Sequence, residues 1–123
     1  MAGKVLFASD DLFFRSRIEE VSSALQLPTI YSTKRAEMEL AINSPESPTL
    51  IILDLNSGAH YPIEAIRKLK MNPVTKGIQI VGYLQHTQQS LMEDAQRAGC
   101  DLVLSRADFS KRLLPFLKNG NIS

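Results

Sequence analysis

Three aspartates stand where apolar segments stop. Asp10 and Asp11 follow Lys4–Ser9 (KVLFAS), and Asp54 lies near the end of Thr49–Leu55 (TLIILDL), a segment otherwise almost wholly apolar. Carboxylates that converge repel one another unless a proton or a cation intervenes, so a set of this kind points to a divalent ion held by oxygen ligands. The plainer reading of Asp10 or Asp11 is a cap on a following helix, a role acidic residues often fill at strand-to-helix turns. Asp54 is harder to explain that way, because a carboxylate in a buried strand needs a compensating reason to be there.

The elements that must position these groups follow from periodicity. Lys4–Ser9 reads as a strand, and Phe14, Ile18, Val21 and Leu25 recur at helical spacing beyond it. Pro28–Tyr31 gives a second strand, after which Ser32 or Thr33 can cap a helix with Ala36, Leu40 and Ala41 among its apolar positions, ending near Asn43 before Pro45 and Pro48. Thr49–Leu55 is apolar on both faces, as a central parallel strand covered on either side should be. A loop with Gly58 and His60 leads to Pro62 at a first helical position, with Ile63, Ile66 and Leu69 as the buried stripe and Asn72-Pro73 as the stop. Ile78–Leu84 is the fourth strand, Leu91, Ala95 and Ala98 mark the fourth helix, Gly99 ends it, and Leu102–Leu104 is the fifth strand. Pro115 interrupts the pattern Phe109, Leu113, Phe116, Leu117, so the last helix is expected to be short or broken, with a turn at Asp108–Lys111 and a helix starting near Leu113. Residues 119–123 are expected to fray.

Five strand-helix units in alternation predict an α/β domain with a five-stranded parallel sheet and helices on both faces. The flavodoxin-like, doubly wound order 2-1-3-4-5 is a common solution, and it places sites at the carboxyl ends of strands one and three, where Asp10, Asp11 and Asp54 stand. A chain of 123 residues that is 44% hydrophobic suits one such domain. The net charge of +1 and the scattered lysines and arginines give no reason to expect nucleic acid or a membrane surface as partner. No apolar run is long enough to span a bilayer, the N-terminus lacks the pattern of a signal peptide, and the single Cys100 fits a reducing compartment, so a cytoplasmic location is expected.

At this level of detail the chain resembles response-regulator receiver domains of the chemotaxis-regulator type. KVLFASDDLFFR is similar to their first strand and acidic turn, LIILDLN to the strand that carries the phosphoacceptor, and AQRAGCDLVLSR to the end of the fourth helix and the fifth strand. The similarity runs over nearly the whole chain without gaps and implies a receiver over residues 1–118, followed by the short tail 119–123. It implies that Asp54 is the phosphoacceptor and that Asp10, Asp54 and the backbone carbonyl of Asn56 hold Mg²⁺. With Arg15 in the family's place for a basic residue, Ser9 stands where the first member of the acidic pair belongs and Asp11 falls just beyond it; a one-residue insertion would instead pair Asp10 with Asp11.

The departures lie at the family's readout positions. Leu84 replaces the hydroxyl residue that grips the phosphoryl group, Val103 replaces the switching aromatic residue, and Arg106 replaces a lysine, keeping the charge but not the shape. Gln85 follows where a small residue is usual and can cover Asp54. The resemblance therefore implies an atypical single-domain receiver that works by protein-protein interaction, with phosphorylation weak, absent or structurally silent. A working phosphorelay receiver fed by a histidine kinase is the alternative. The implied partners are a sensor histidine kinase or another signalling protein, with homodimerisation through the fourth helix, fifth strand and fifth helix (Gln89, Glu93, Gln96, Arg97, Asp101, Lys111) resting on analogy. A flavin-type cofactor is disfavoured, because no glycine-rich or hydroxyl-rich phosphate loop follows the first strand. His60 and His86, on loops at the site face, read as solvated groups, Cys100 as a packing residue, and Tyr83 as core.

Overall fold

The structure, a computed structural model, describes residues 4–85 and 88–122. The elements run β1 (Val5–Ala8), α1 (Leu12–Ala24), β2 (Thr29–Ser32), α2 (Arg35–Ile42), β3 (Leu50–Asp54), a 3-10 turn (Gly58–His60), α3 (Pro62–Met71), β4 (Gln79–Leu84), α4 (Gln89–Ala98), β5 (Leu102–Ser105) and α5 (Arg106–Asn119). The strands pair in parallel in the order β2-β1-β3-β4-β5, which is the expected doubly wound arrangement.

Alternation along the strands sorts side chains into two apolar layers. Leu6, Ala8, Ile51, Leu53, Ile80 and Leu84 face α2, α3 and α4. Val5, Phe7, Leu50, Ile52, Val81 and Tyr83 face Phe14 and Ile18 of α1 and Phe109, Leu113, Phe116 and Leu117 of α5. Asp54, two residues after Ile52, continues the second set. Gly82 is required by closeness rather than by backbone angle: a Cβ there would lie 3.0 Å from a Leu55 methyl carbon and 3.1 Å from the Cys100 sulfur.

Three expectations need correction. In α2, whose N-cap position is Lys34 and not Ser32 or Thr33, the buried residues are Met38 and Ile42, whereas Leu40 is exposed. Glu37 accepts hydrogen bonds from both the Thr33 amide and hydroxyl, a closure of the helix entrance that needs no Ser or Thr at the cap itself. The final helix is continuous through Pro115. Pro115 lies on the exposed side, so the carbonyl it leaves unpaired is open to water. Burial of Phe109, Leu113, Phe116 and Leu117, at about 1.5–3 kcal/mol each, outweighs a proline cost of about 3 kcal/mol. Ser105 caps this helix by accepting from the Asp108 amide at 3.1 Å. Residues 120–122 are tied down and not frayed: the Gly120 carbonyl accepts from the Thr49 hydroxyl at 2.8 Å, and the Ile122 amide donates to Gln79 at 2.9 Å.

The turn between α3 and β4 is exposed at Asn72, Pro73, Val74 and Lys76 but firmly bonded. The Thr75 hydroxyl donates to the Leu69 carbonyl at 2.8 Å. Lys70 Nζ donates to the carbonyls of Lys76 and Ile78 and pairs with Asp101 at 2.8 Å.

Candidate functional site

The end of β3 brings Asp54 to the sheet's carboxyl edge, buried to 3% exposure. Its Oδ2 accepts from the Ser9 hydroxyl at 2.7 Å and its Oδ1 from the Asn56 amide at 2.9 Å. Burial raises the pKa of this carboxyl, the bonds from Ser9 and Asn56 oppose the shift, and the nearby charges of Asp10 and Asp11 add to it. Ser9, itself buried, accepts from the Asp11 amide at 3.0 Å, so its hydroxyl oxygen keeps one unused lone pair.

The two acidic-turn residues divide their roles. Asp11 caps α1, accepting from the Phe14 amide at 3.0 Å, and its other oxygen pairs with Arg106 at 3.0 Å. The Arg106 guanidinium lies over the Phe14 ring, 4.3 Å from its centroid. Arg106 is thus engaged, with Asp11 as its ion-pair partner. Asp10 is exposed, close enough to Asp54 for its charge to count.

Asn56 joins the loops after β3 and β4, a link that no local pattern signals. Its side-chain oxygen accepts from the Gln85 amide at 3.0 Å and its side-chain amide donates to Gln88 at 2.8 Å. Gln85 is exposed. His86, expected at the site edge, lies outside the described residues. Leu84 and Val103 belong to the layer facing α2, α3 and α4, the side of the sheet opposite to Asp54. Tyr83 is core, as expected, and is the β4 residue in register with Asp54.

His60 departs most from expectation. It is wholly buried, with Nε2 2.7 Å from the Ser32 hydroxyl and Nδ1 2.6 Å from the Ser57 hydroxyl. The Ser32 hydroxyl proton is used on the Lys34 carbonyl at 2.9 Å, so Nε2 donates to Ser32, and burial, which disfavours a charged ring, leaves Nδ1 to accept from Ser57. The ring is therefore neutral. Burial pushes its pKa down, chiefly, against the opposing pull of Asp10, Ser32 and Glu37, while Arg35 adds to the lowering. Its loop position concealed a ring clamped between β2 and the turn after β3. Cys100 packs as expected, and burial pushes its thiol up to about 11, which keeps it protonated and unreactive.

The donor set around Asp54 suits a hard dication with few protein ligands. Each Asp54 oxygen spends only one acceptor site on Ser9 or Asn56, and Asp10 adds a second, exposed carboxylate. The repulsion from Asp10 and Asp11 felt at Asp54 is the kind of field a cation relieves. Among the described residues no cluster of three or more His, Cys, Asp or Glu side chains is arranged as a metal cage.

No protein-family profile matches the sequence, and no curated relative matches it either. Solved structures match closely in shape. The phosphorylated cyanobacterial phytochrome response regulator RcpA aligns with a TM-score of 0.80 at 16% identity, over 96% of this chain and 90% of that one. The chemotaxis response regulator CheY4 of Vibrio cholerae gives 0.79 at 16% identity, over 98% and 100%. The Mn²⁺-bound response regulator Rcp1 gives 0.73 at 20% identity, over 93% and 91%. The fold is that of response-regulator receiver domains, a flavodoxin-like five-stranded parallel sheet of order 2-1-3-4-5. Among the described residues no helix is long and apolar enough to cross a membrane.

Proposed function

We propose that the chain is an atypical receiver in signal transduction, acting by binding another signalling protein, with phosphorylation of Asp54 weak and silent at the surface of α4, β5 and α5. The observation that carries this reading is the Ser9 hydroxyl bonded to Asp54 Oδ2 at 2.7 Å, an acceptor site with a neutral donor where the resemblance calls for a further carboxylate. Leu84 and Val103, on the opposite side of the sheet, offer Asp54 neither hydroxyl nor aromatic ring. A ligand moves an equilibrium between two conformations only through contacts that differ between them.

Asp54, Asp10 and the Asn56 carbonyl would hold Mg²⁺, which supplies charge neutralisation at a transferring phosphoryl group. The chain's own contribution is a buried carboxylate held in one orientation by Ser9 and Asn56, with Arg106 neutralising charge alongside. With an acyl phosphate donor, an Asp54 oxygen attacks phosphorus, the bond to the donor carboxylate breaks, and its electron pair leaves with that carboxylate. A sensor histidine kinase is the natural donor protein, and the protein has no other enzymatic activity in this reading. Incubation with Mg²⁺ and acetyl phosphate, followed by intact-mass analysis of wild type and Asp54→Asn, tests it. Slow, substoichiometric addition of one phosphoryl group, absent from Asp54→Asn, is expected. Stoichiometric modification accompanied by a large change in oligomeric state would rule the silent reading out.

A further inference from the structure

Tyr83 carries a polar atom that the resting structure leaves unused. The residue is buried to 1% exposure, and among the described residues its hydroxyl has no hydrogen-bond partner. A buried hydroxyl without a partner carries an energetic cost, so one that persists beside a reactive group asks for an explanation. Its ring is fixed by neighbours, stacked on Phe109 at 4.9 Å and on Phe7 at 6.2 Å, with Phe14 tilted against it at 5.3 Å. It is in register with Asp54 across the β3–β4 pair and on the same face of the sheet. Burial, foremost, and the Asp54 charge push the phenol well above its ordinary range, while the nearby Ser9 hydroxyl and Arg106 pull the other way. The hydroxyl therefore remains a donor at any physiological pH; it lies near enough to Ser9 for that hydroxyl to lower the phenol's pKa, at a geometry short of a formed hydrogen bond.

Ser9 links the two. At rest its proton is spent on Asp54 Oδ2, and its oxygen accepts only from the Asp11 amide. We infer that Tyr83 is a positioning residue for the Asp54 site: when Asp54 carries a phosphoryl group, the Ser9 hydroxyl turns to a phosphoryl oxygen and the Tyr83 hydroxyl donates to Ser9. The donor that Leu84 cannot supply thus comes from the preceding residue, on the other face of β4, and the response stays within the aromatic layer under α1 and α5. This rests on the reading of Asp54 as phosphoacceptor.

The test uses Mg²⁺ with beryllofluoride, an analogue of the aspartyl phosphoryl group, and three proteins: wild type, Tyr83→Phe and Tyr61→Phe. The chain has three tyrosines and no tryptophan, so its near-ultraviolet absorbance reports on phenols. A phenol that becomes a hydrogen-bond donor shifts its band to longer wavelength. The expected result is a red-shifted difference spectrum on binding in wild type and Tyr61→Phe but not in Tyr83→Phe, with binding to Tyr83→Phe weakened by about fivefold to tenfold. Free of ligand, Tyr83→Phe should melt above wild type, since it loses only an idle hydroxyl. Unchanged affinity in Tyr83→Phe, or a lower melting temperature for its free form, overturns the inference while leaving the acceptor reading intact. Failure of wild type to bind beryllofluoride, followed by fluorine NMR, removes the acceptor reading and this inference with it.

Discussion

At the scale of residues, Ser9 and Asp54 set the character of the site. A buried carboxyl whose folded pKa is raised holds its proton more tightly when folded than when unfolded. The stability linked to it is present below its unfolded value of about 3.9 and is lost as pH rises through the raised folded pKa. Asp54→Asn removes that loss, and because the Ser9 hydroxyl can rotate to accept from the new amide, the hydrogen bonds survive. The variant should be more stable than wild type at pH 7 by about 1 kcal/mol, with the difference vanishing near pH 3. Urea unfolding at the two pH values measures this, and equal stability at pH 7 would show that the charge on Asp54 costs nothing. Ser9→Asp makes the opposite change. It should destabilise the metal-free protein by about 1 kcal/mol through repulsion with Asp54 and raise Mn²⁺ affinity roughly tenfold, both by the same added charge. Calorimetric titration with Mn²⁺ decides, and an unchanged affinity would place Ser9 out of the cation's reach.

At the scale of elements, two features make separate predictions. His60 pins β2 to the turn after β3 through Ser32 and Ser57. Its folded pKa lies below its unfolded value of about 6.5, so the unfolded chain binds the proton first, and stability is whole above about pH 6.5 and declines as pH falls below it. His60→Ala should cost about 2–4 kcal/mol from lost packing and the lost hydrogen bonds to Ser32 and Ser57, and should flatten the stability profile between pH 6.5 and 5. A profile as steep as that of wild type would assign the acid sensitivity to another group. Pro115→Ala should stabilise α5 by about 1–2 kcal/mol, the regained helix bond outweighing the greater freedom of the unfolded chain. The shift of the urea midpoint reads it directly.

Those elements also show what the sequence could and could not reveal. The five strands, the cap role of an acidic-turn residue, Pro62 at the start of α3 and Gly99 at the end of α4 follow from local pattern, since each depends on near neighbours in the chain. The buried face of α2 is not legible locally, because Leu40 is as apolar as Met38 and Ile42, and only tertiary packing selects the latter two. Pro115 misled in the same way, by a local cost that tertiary burial exceeds. In the site, the placement of Asp54, Asp10 and Asp11 at one edge of the sheet was legible through topology. The hydrogen bond from Ser9 to Asp54, the engagement of Arg106 by Asp11, and the Ser32–His60–Ser57 clamp were not, because they join residues distant in sequence through side-chain directions that no periodicity encodes.

At the scale of the whole molecule, the strand order divides the chain. β1, β2 and β3, with Ser9 just after β1 and Asp54 at the end of β3, are complete before the turn at residues 72–77, whereas Tyr83, Leu84 and Arg106 come after it. The seam between the parts is the β3–β4 pairing, reinforced by Lys70 reaching the Ile78 carbonyl and Asp101. Val74, in the middle of that turn, is 87% exposed. A peptide bond cut there would sever the covalent link while leaving the seam and both apolar layers untouched, so the two pieces made separately should find each other and reassociate. Reunion of the fragments would rebuild the surroundings of Asp54, which neither fragment holds complete.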